Sequence, residues 1–153
     1  MEVIVIEDMR GGLPDQPLHS EVFFMLVETT AKLVEVSEKY WQAQGTNGAR
    51  IRILVELLKE GGTLLPSALA RKIGVTKANI SLLLIPLEQD GYIRRQPHPE
   101  DGRKTVIILT DEGHSLLLRH LPANRETIAH SMQALNDQEL HQLLSLLARL
   151  KKA

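Results

Sequence analysis

Lys77, Asn79 and Ser81 follow one another at two-residue steps, and Arg94, Arg95, Arg103 and Lys104 flank a turn rich in proline and glycine. The chemistry these side chains offer is recognition rather than bond-making. Ammonium and guanidinium groups neutralise phosphate, a serine hydroxyl bonds phosphate or base edges, and an asparagine amide matches the paired donor and acceptor of adenine. Groups suited to covalent chemistry are scarce. The chain has no cysteine, which removes disulfides, thiolate ligands and thiol redox sensing together. It has neither a phosphate-cradling glycine motif nor HExxH, so no enzyme activity is expected. The six histidines, His19, His98, His114, His120, His130 and His141, never stand three or four residues apart, the spacing that sets two ligands on one helix face. No metal and no cofactor are expected.

The formal net charge of -1 conceals an uneven distribution. Residues 1–49 carry three Lys/Arg against eight Asp/Glu, whereas residues 71–104 carry seven against four. Basic charge therefore gathers in the central third, as it must if one face meets phosphate while the rest repels it. A merely solvated basic surface has the same composition, so charge alone does not decide. At 153 residues with 43% hydrophobic side chains, the chain suits one core and one domain. No apolar run approaches the roughly 20 residues of a membrane span, and no basic region precedes an apolar stretch at the N-terminus. A cytoplasmic protein without a membrane partner is expected.

The elements that must position these residues are legible from periodicity and punctuation. Residues 1–17, with Val3 to Ile6 followed by Gly11, Gly12 and Pro14, read as a flexible arm containing one short strand. Phe23, Leu26, Val27, Leu33, Val34 and Tyr40 recur at helical spacing, predicting a long helix from Leu18 to about Gln42. A second helix is predicted over 49–59, with Ile51, Leu54, Val55 and Leu58 inward, stopped by Gly61 and Gly62. A very short strand over Thr63 to Leu65 precedes Pro66, which suits a helix's first turn. That helix ends at Gly74, and Thr76 then caps another over 77–90 with Ile80, Leu83, Leu84 and Leu87 inward. Two helices joined by a tight glycine turn make a helix-turn-helix. Residues 92–96 and 103–109 read as strands around a 97–102 turn, a hairpin that serves as a wing. Thr110 caps a further long helix interrupted at Pro122. Asn136 with Glu139 opens a last one bearing Leu140, Leu143, Leu144, Leu147 and Leu150. The fold class is thus mainly α with a small β-hairpin wing (α+β).

On these motifs the sequence resembles the MarR family of transcriptional regulators over residues ~18–153. The resemblance is carried by Pro66-Ser67-Ala68-Leu69-Ala70, by Gly74-Val75-Thr76-Lys77-Ala78-Asn79-Ile80-Ser81 and by Leu87-Glu88-Gln89-Asp90-Gly91-Tyr92-Ile93-Arg94-Arg95. The most specific match is Asp101-Gly102-Arg103 followed by an apolar strand and Leu109-Thr110. It implies a winged helix-turn-helix over 49–110 and a homodimer held by helices in 18–48 and 111–153. It also implies repressor action on pseudo-palindromic operators in double-stranded DNA. Carried onto this chain, the DNA-binding set is Ser67, Thr76, Lys77, Asn79, Ser81, Arg94, Arg95, Arg103 and Lys104, with Asp101 and Gly102 shaping the wing. Asp101 and Arg103 can equally staple the turn as an ion pair. The resemblance further implies release by a small aromatic or anionic effector, for which Tyr40 and Trp41 are candidate pocket residues. Core or interface packing is the competing role for those two rings.

Leu82, Ile85 and Pro86 stand where relatives carry polar or basic side chains along the recognition helix. A leucine there offers DNA no hydrogen bond and can meet at most a thymine methyl, so a short or weakly specific recognition surface is expected. Pro86 leaves the carbonyl of Leu82 without its helical donor and predicts a kink or early end. The same apolar face keeps a second function open, a winged-helix protein-binding module with weak or no DNA binding.

Overall fold

Along residues 17–153, which the computed structural model describes, the chain runs α1 (Leu18–Ala43), α2 (Gly48–Lys59), β1 (Thr63–Leu64), α3 (Pro66–Ile73), α4 (Lys77–Gln89), β2 (Ile93–Pro97), β3 (Thr105–Leu109), α5 (Asp111–Ser131) and α6 (Asp137–Lys152). The arm and strand expected over residues 1–16 lie outside the described residues. Side-chain caps start four of the helices. Asn47 Oδ1 accepts Arg50 N–H at 2.9 Å, Thr76 Oγ1 accepts Asn79 N–H at 3.2 Å, and Thr110 Oγ1 accepts Gly113 N–H at 3.1 Å. At α6, Asn136 and Glu139 exchange both bonds of a capping box. Each satisfies a donor that the helix leaves unpaired, a contribution of about 1 kcal/mol.

The chain divides into two compact units at Glu35/Val36, within α1. In the first, the described helix leaves Leu18, Val22, Phe23, Phe24, Met25 and Val27 exposed, with the Phe23 and Phe24 rings edge to face at 5.5 Å. The second holds the hydrophobic core: Trp41, Ile53, Leu54, Leu57, Leu69, Ile80, Leu84, Leu87, Ile93, Ile107 and Leu117. On α2 the inward stripe is Ile51, Ile53, Leu54 and Leu57, while Leu58 is exposed and Val55 only partly covered. Val55 and Leu58 were expected inward. Spacing alone fits either stripe, and the one that faces α3, α4 and α5 wins.

The three strands form one antiparallel sheet in the order β1-β3-β2, with Arg94 opposite Ile108 and Arg95 opposite Ile107. β2 starts at Ile93 and β3 at Thr105, so Tyr92, Arg103 and Lys104 lie outside the strands where sequence placed them inside. The α5 start is drawn tightly onto the sheet. Thr110 Oγ1 donates to Gly91 O at 2.6 Å and Thr110 N–H to Tyr92 O at 3.1 Å. A Cβ at Gly113 would collide with the Tyr92 carbonyl, so this position has no room for a side chain.

Neither proline stops its helix. α5 runs through Pro122 and α4 through Pro86, contrary to the expected interruption and early end. Each proline deprives a carbonyl four residues earlier of its donor. Those carbonyls belong to Leu118 and Leu82, which are 61% and 66% exposed, on the side where water can replace the lost bond.

Candidate nucleic-acid interface

α3 begins without a side-chain cap. Leu65 at its N-cap makes no such bond and Pro66 occupies the first turn, so the N–H groups of Ser67 and Ala68 are left for outside acceptors. Gly74, at φ 74° in the left-handed region, closes α3, and Val75 N–H returns to Ala70 O at 2.9 Å. The two-residue step to Thr76 then starts α4 at once. Ile80, Leu84 and Leu87 face the core, and Lys77, Ala78, Asn79, Ser81, Leu82 and Ile85 face out. The first turn of α4 has no acidic residue. Its positive dipole end and the Lys77 ammonium therefore add, an arrangement that favours a bound anion.

The wing turn is held by its own side chains. His98 N–H donates to Lys104 O at 2.8 Å and Lys104 N–H to Asp101 O at 3.0 Å. His98 Nδ1 accepts the backbone N–H groups of Glu100 and Asp101, at 3.1 and 3.2 Å. Asp101 Oδ1 accepts Arg103 N–H at 3.1 Å, so Asp101 reaches the backbone of Arg103 and leaves its guanidinium exposed. Gly102 has no positive φ, and a Cβ there would meet open space. The turn therefore takes its shape from His98 and Asp101, not from the conformational freedom of Gly102.

The basic residues are sorted by what they already touch. Arg95, across from the core residue Ile107, shares that face of the sheet, and its Nε pairs with Glu88 Oε2 of α4 at 3.1 Å. Lys72 pairs with Glu60 at 3.0 Å and Lys59 with Glu56 at 3.7 Å. Lys77, Arg94, Arg103 and Lys104 are exposed and have no acidic partner within ion-pair distance among the described residues. Arg94, one residue from Arg95, projects from the opposite face of β2.

Four of the expected DNA-binding residues come together. Ser67, Lys77, Ser81 and Lys104 line one cleft with Thr105, over an apolar floor of Leu65, Pro66 and Ile80. Thr76, Asn79, Arg94, Arg95 and Arg103 lie outside it. The hydroxyls of Thr76 and Ser81 have structural partners already, Thr76 as the α4 cap and Ser81 donating to Lys77 O at 3.0 Å. Glu88 and His98 were given no part in the wing from sequence, where His98 was weighed only as a metal ligand and Glu88 only as part of the family motif. His-Pro-Glu-Asp at a turn is the only local signal for the second, and nothing local marks the first.

Trp41 is 2% exposed within the core, and Tyr40 donates its O–H to His120 O at 3.2 Å. The nearby small cavity is lined by other residues, including Thr46, Arg50, Asp90, Tyr92 and His120. Arg50 Nε is buried there without an acceptor among the described residues. No cluster of three His, Cys, Asp or Glu able to hold a metal occurs among the described residues, and no described helix is long and apolar enough to cross a membrane.

A family model described as "MarR family" matches residues 44–104. The chain is 34% identical over 131 residues to the HTH-type transcriptional repressor YetL of Bacillus subtilis (strain 168), across 85% of this chain and 78% of that one. Among solved structures it is similar, at TM-score 0.80 and 23% identity, to Sco3205, a MarR family transcriptional regulator from Streptomyces coelicolor in complex with DNA. That likeness covers 92% of this chain and 91% of the other and concerns the fold. A probable transcriptional regulator from Pseudomonas aeruginosa matches at TM-score 0.76 and 28% identity, over 88% and 99% of the two chains.

Proposed function

The chain belongs to the MarR family of transcriptional regulators, and we propose on that premise that it is a homodimeric repressor that binds pseudo-palindromic operators in double-stranded DNA. The observation that carries the reading is the cleft where Ser67 and Lys77, at the starts of α3 and α4, meet Lys104 of the wing. Cations from two separate elements converge there beside uncapped helix N–H groups. A phosphate is the ligand that such a site fits. From this anchor α4 enters the major groove, and the exposed Arg94 and Arg103 reach the backbone or minor groove alongside. The role is binding in the cytoplasm, with no chemical step.

A second copy supplies what the single chain lacks. α1 exposes Leu18, Phe23, Phe24 and Met25, α6 exposes Leu144, Leu146, Leu147 and Leu150, and no residue of α6 is buried. Apolar surface on this scale is covered in a partner rather than left in water. Dimerisation helices in 18–48 and 111–153 then flank the winged helix-turn-helix of 49–110.

Release by a small aromatic or anionic effector is supported by the small cavity beside His120 and Tyr92, which Arg50 also lines. A ligand bound there acts on α4 through Leu87, which lines the same cavity. It lowers DNA affinity to the extent that it prefers a conformation with the recognition helices misplaced.

The test is retention of random duplex DNA by the purified chain at two salt concentrations, followed by sequencing. Enrichment of a two-fold-symmetric site with half-sites about one helical turn apart supports the reading. Absence of salt-sensitive retention overturns it and leaves the apolar α4 face to a protein partner.

A further inference from the structure

Along the outward face of α4, Ala78, Leu82 and Ile85 stand at i, i+4 and i+7 and form a continuous apolar stripe. Leu82 is 66% exposed and Ile85 46%, although the core is fully formed beneath them by Ile80, Leu84 and Leu87. The polar side chains of this helix lie at its ends or are already committed. Lys77 and Asn79 occupy the first turn, Gln89 is the last residue, and the Ser81 hydroxyl donates to Lys77 O. α4 contains no arginine. It therefore lacks the forked donor that most often reads guanine O6 and N7.

The stripe is continuous with the cationic cleft, since Ser81, which lines the cleft with Lys77, stands three residues after Ala78 and four before Ile85, the spacings of neighbours on a helix surface. Whatever covers it must therefore be polyanionic at its edge and apolar at its centre. On a DNA major-groove floor bordered by phosphates, the apolar group available is the thymine 5-methyl. We infer that Leu82, supported by Ile85, reads thymine methyl groups, so that the half-site is specified at its centre by methyl contact rather than by hydrogen bonds to guanine. The inference rests on the proposed function and names the bases that the same site selects.

Replacing thymine by uracil removes the methyl and leaves every hydrogen-bonding group in place. The full chain is used to enrich a duplex from a random pool, and that duplex is remade with uracil at single thymine positions of one half-site. Each methyl buried against Leu82 is worth roughly a fourfold change in affinity, from the transfer free energy of one such carbon. The expected result is a weakening of about that size at one or two positions, lost in Leu82→Ala, which binds thymine and uracil duplexes alike. Because Leu82 is exposed, the variant keeps its fold, and its thermal denaturation midpoint checks this. Equal binding of thymine and uracil duplexes by the native chain overturns the inference while leaving DNA binding intact. Persistence of the full difference in both Leu82→Ala and Ile85→Ala overturns the assignment to this stripe. Failure to retain any duplex overturns the proposed function itself, and the inference with it.

Discussion

Arg95 Nε lies 3.1 Å from Glu88 Oε2, tying the first wing strand to the last turn of α4. The pair withholds one cation of the wing from an incoming phosphate and helps set the angle between wing and recognition helix. The two side chains are 35% and 45% exposed, so the ion pair itself contributes less than about 1 kcal/mol to stability. Glu88→Gln is expected to leave the denaturation midpoint nearly unchanged and to free Arg95. The slope of log affinity for duplex DNA against log salt then steepens by about 1. An unaltered slope in a binding titration would mean that Arg95 stays clear of DNA even when released.

Among the described residues Arg103 has no acidic partner within ion-pair distance, and its backbone is held by Asp101. Arg103→Ala is expected to weaken binding to all duplexes by a similar factor and to reduce the salt slope by about 1, with the dimer intact by light scattering. Dissociation of this variant into monomers would remove the wing from its assigned place, remote from the subunit interface.

The wing turn depends on His98 Nδ1 and Asp101 Oδ1 as acceptors for three backbone N–H groups. His98→Ala and Asp101→Ala each leave N–H groups to water at an exposed site, a cost of about 1 kcal/mol or less. Faster amide exchange confined to 98–104 is expected, with weaker DNA binding and an almost unchanged unfolding midpoint. A cooperative loss of stability across the whole domain would contradict a local role.

Thr110 accepts from Gly113 N–H and donates to Gly91 O, linking the start of α5 to the end of α4. Thr110→Val keeps the shape and loses both bonds, with an expected cost of about 1–3 kcal/mol in urea denaturation. Gly113→Ala is expected to be at least as damaging, because its methyl meets the Tyr92 carbonyl and the Leu109 side chain. A neutral effect of either would mean that α5 can lift from the sheet without cost.

Phe23 is 60% exposed on α1 and Leu150 60% exposed on α6. Phe23→Asp, which sets a charge within the apolar surface proposed to face a second copy, is expected to shift the chain toward monomer in sedimentation velocity. A native chain that stays monomeric at every concentration would remove the dimer from the proposed function.

Helix starts and stops were legible in the sequence because they are decided within three or four residues. The Thr76, Thr110 and Asn136 side chains each accept the N–H three residues ahead, and Gly74 takes the positive φ that ends α3. The family motifs are clusters of such local devices, which is why the fold class could be read from the sequence, and why Ser67, Lys77, Ser81 and Lys104, which line one cleft, could be named from it as candidates. The outward set on α4 followed from the same periodicity once Ile80, Leu84 and Leu87 were assigned to the core.

Only tertiary structure decided which face each residue turns to and which charge finds a partner. Ile53 and Leu57 displace Leu58 from the inside of α2 because α2 is enclosed by several neighbours, which a single-stripe reading does not anticipate. Arg94 and Arg95 are equivalent as letters, yet strand register sends one to Glu88 and the other to the opposite face. Trp41 belongs to the core, and Tyr40 meets His120, 80 positions along the chain. Pro86 and Pro122 stay within helices because the carbonyls they orphan belong to residues on exposed faces, a fact set by packing. Sequence alone determined the elements and the kinds of group they carry, since caps and periodicity act over one helical turn. Tertiary packing determined which of those groups remain available to a partner, because pairing and burial depend on segments that meet only in the folded chain.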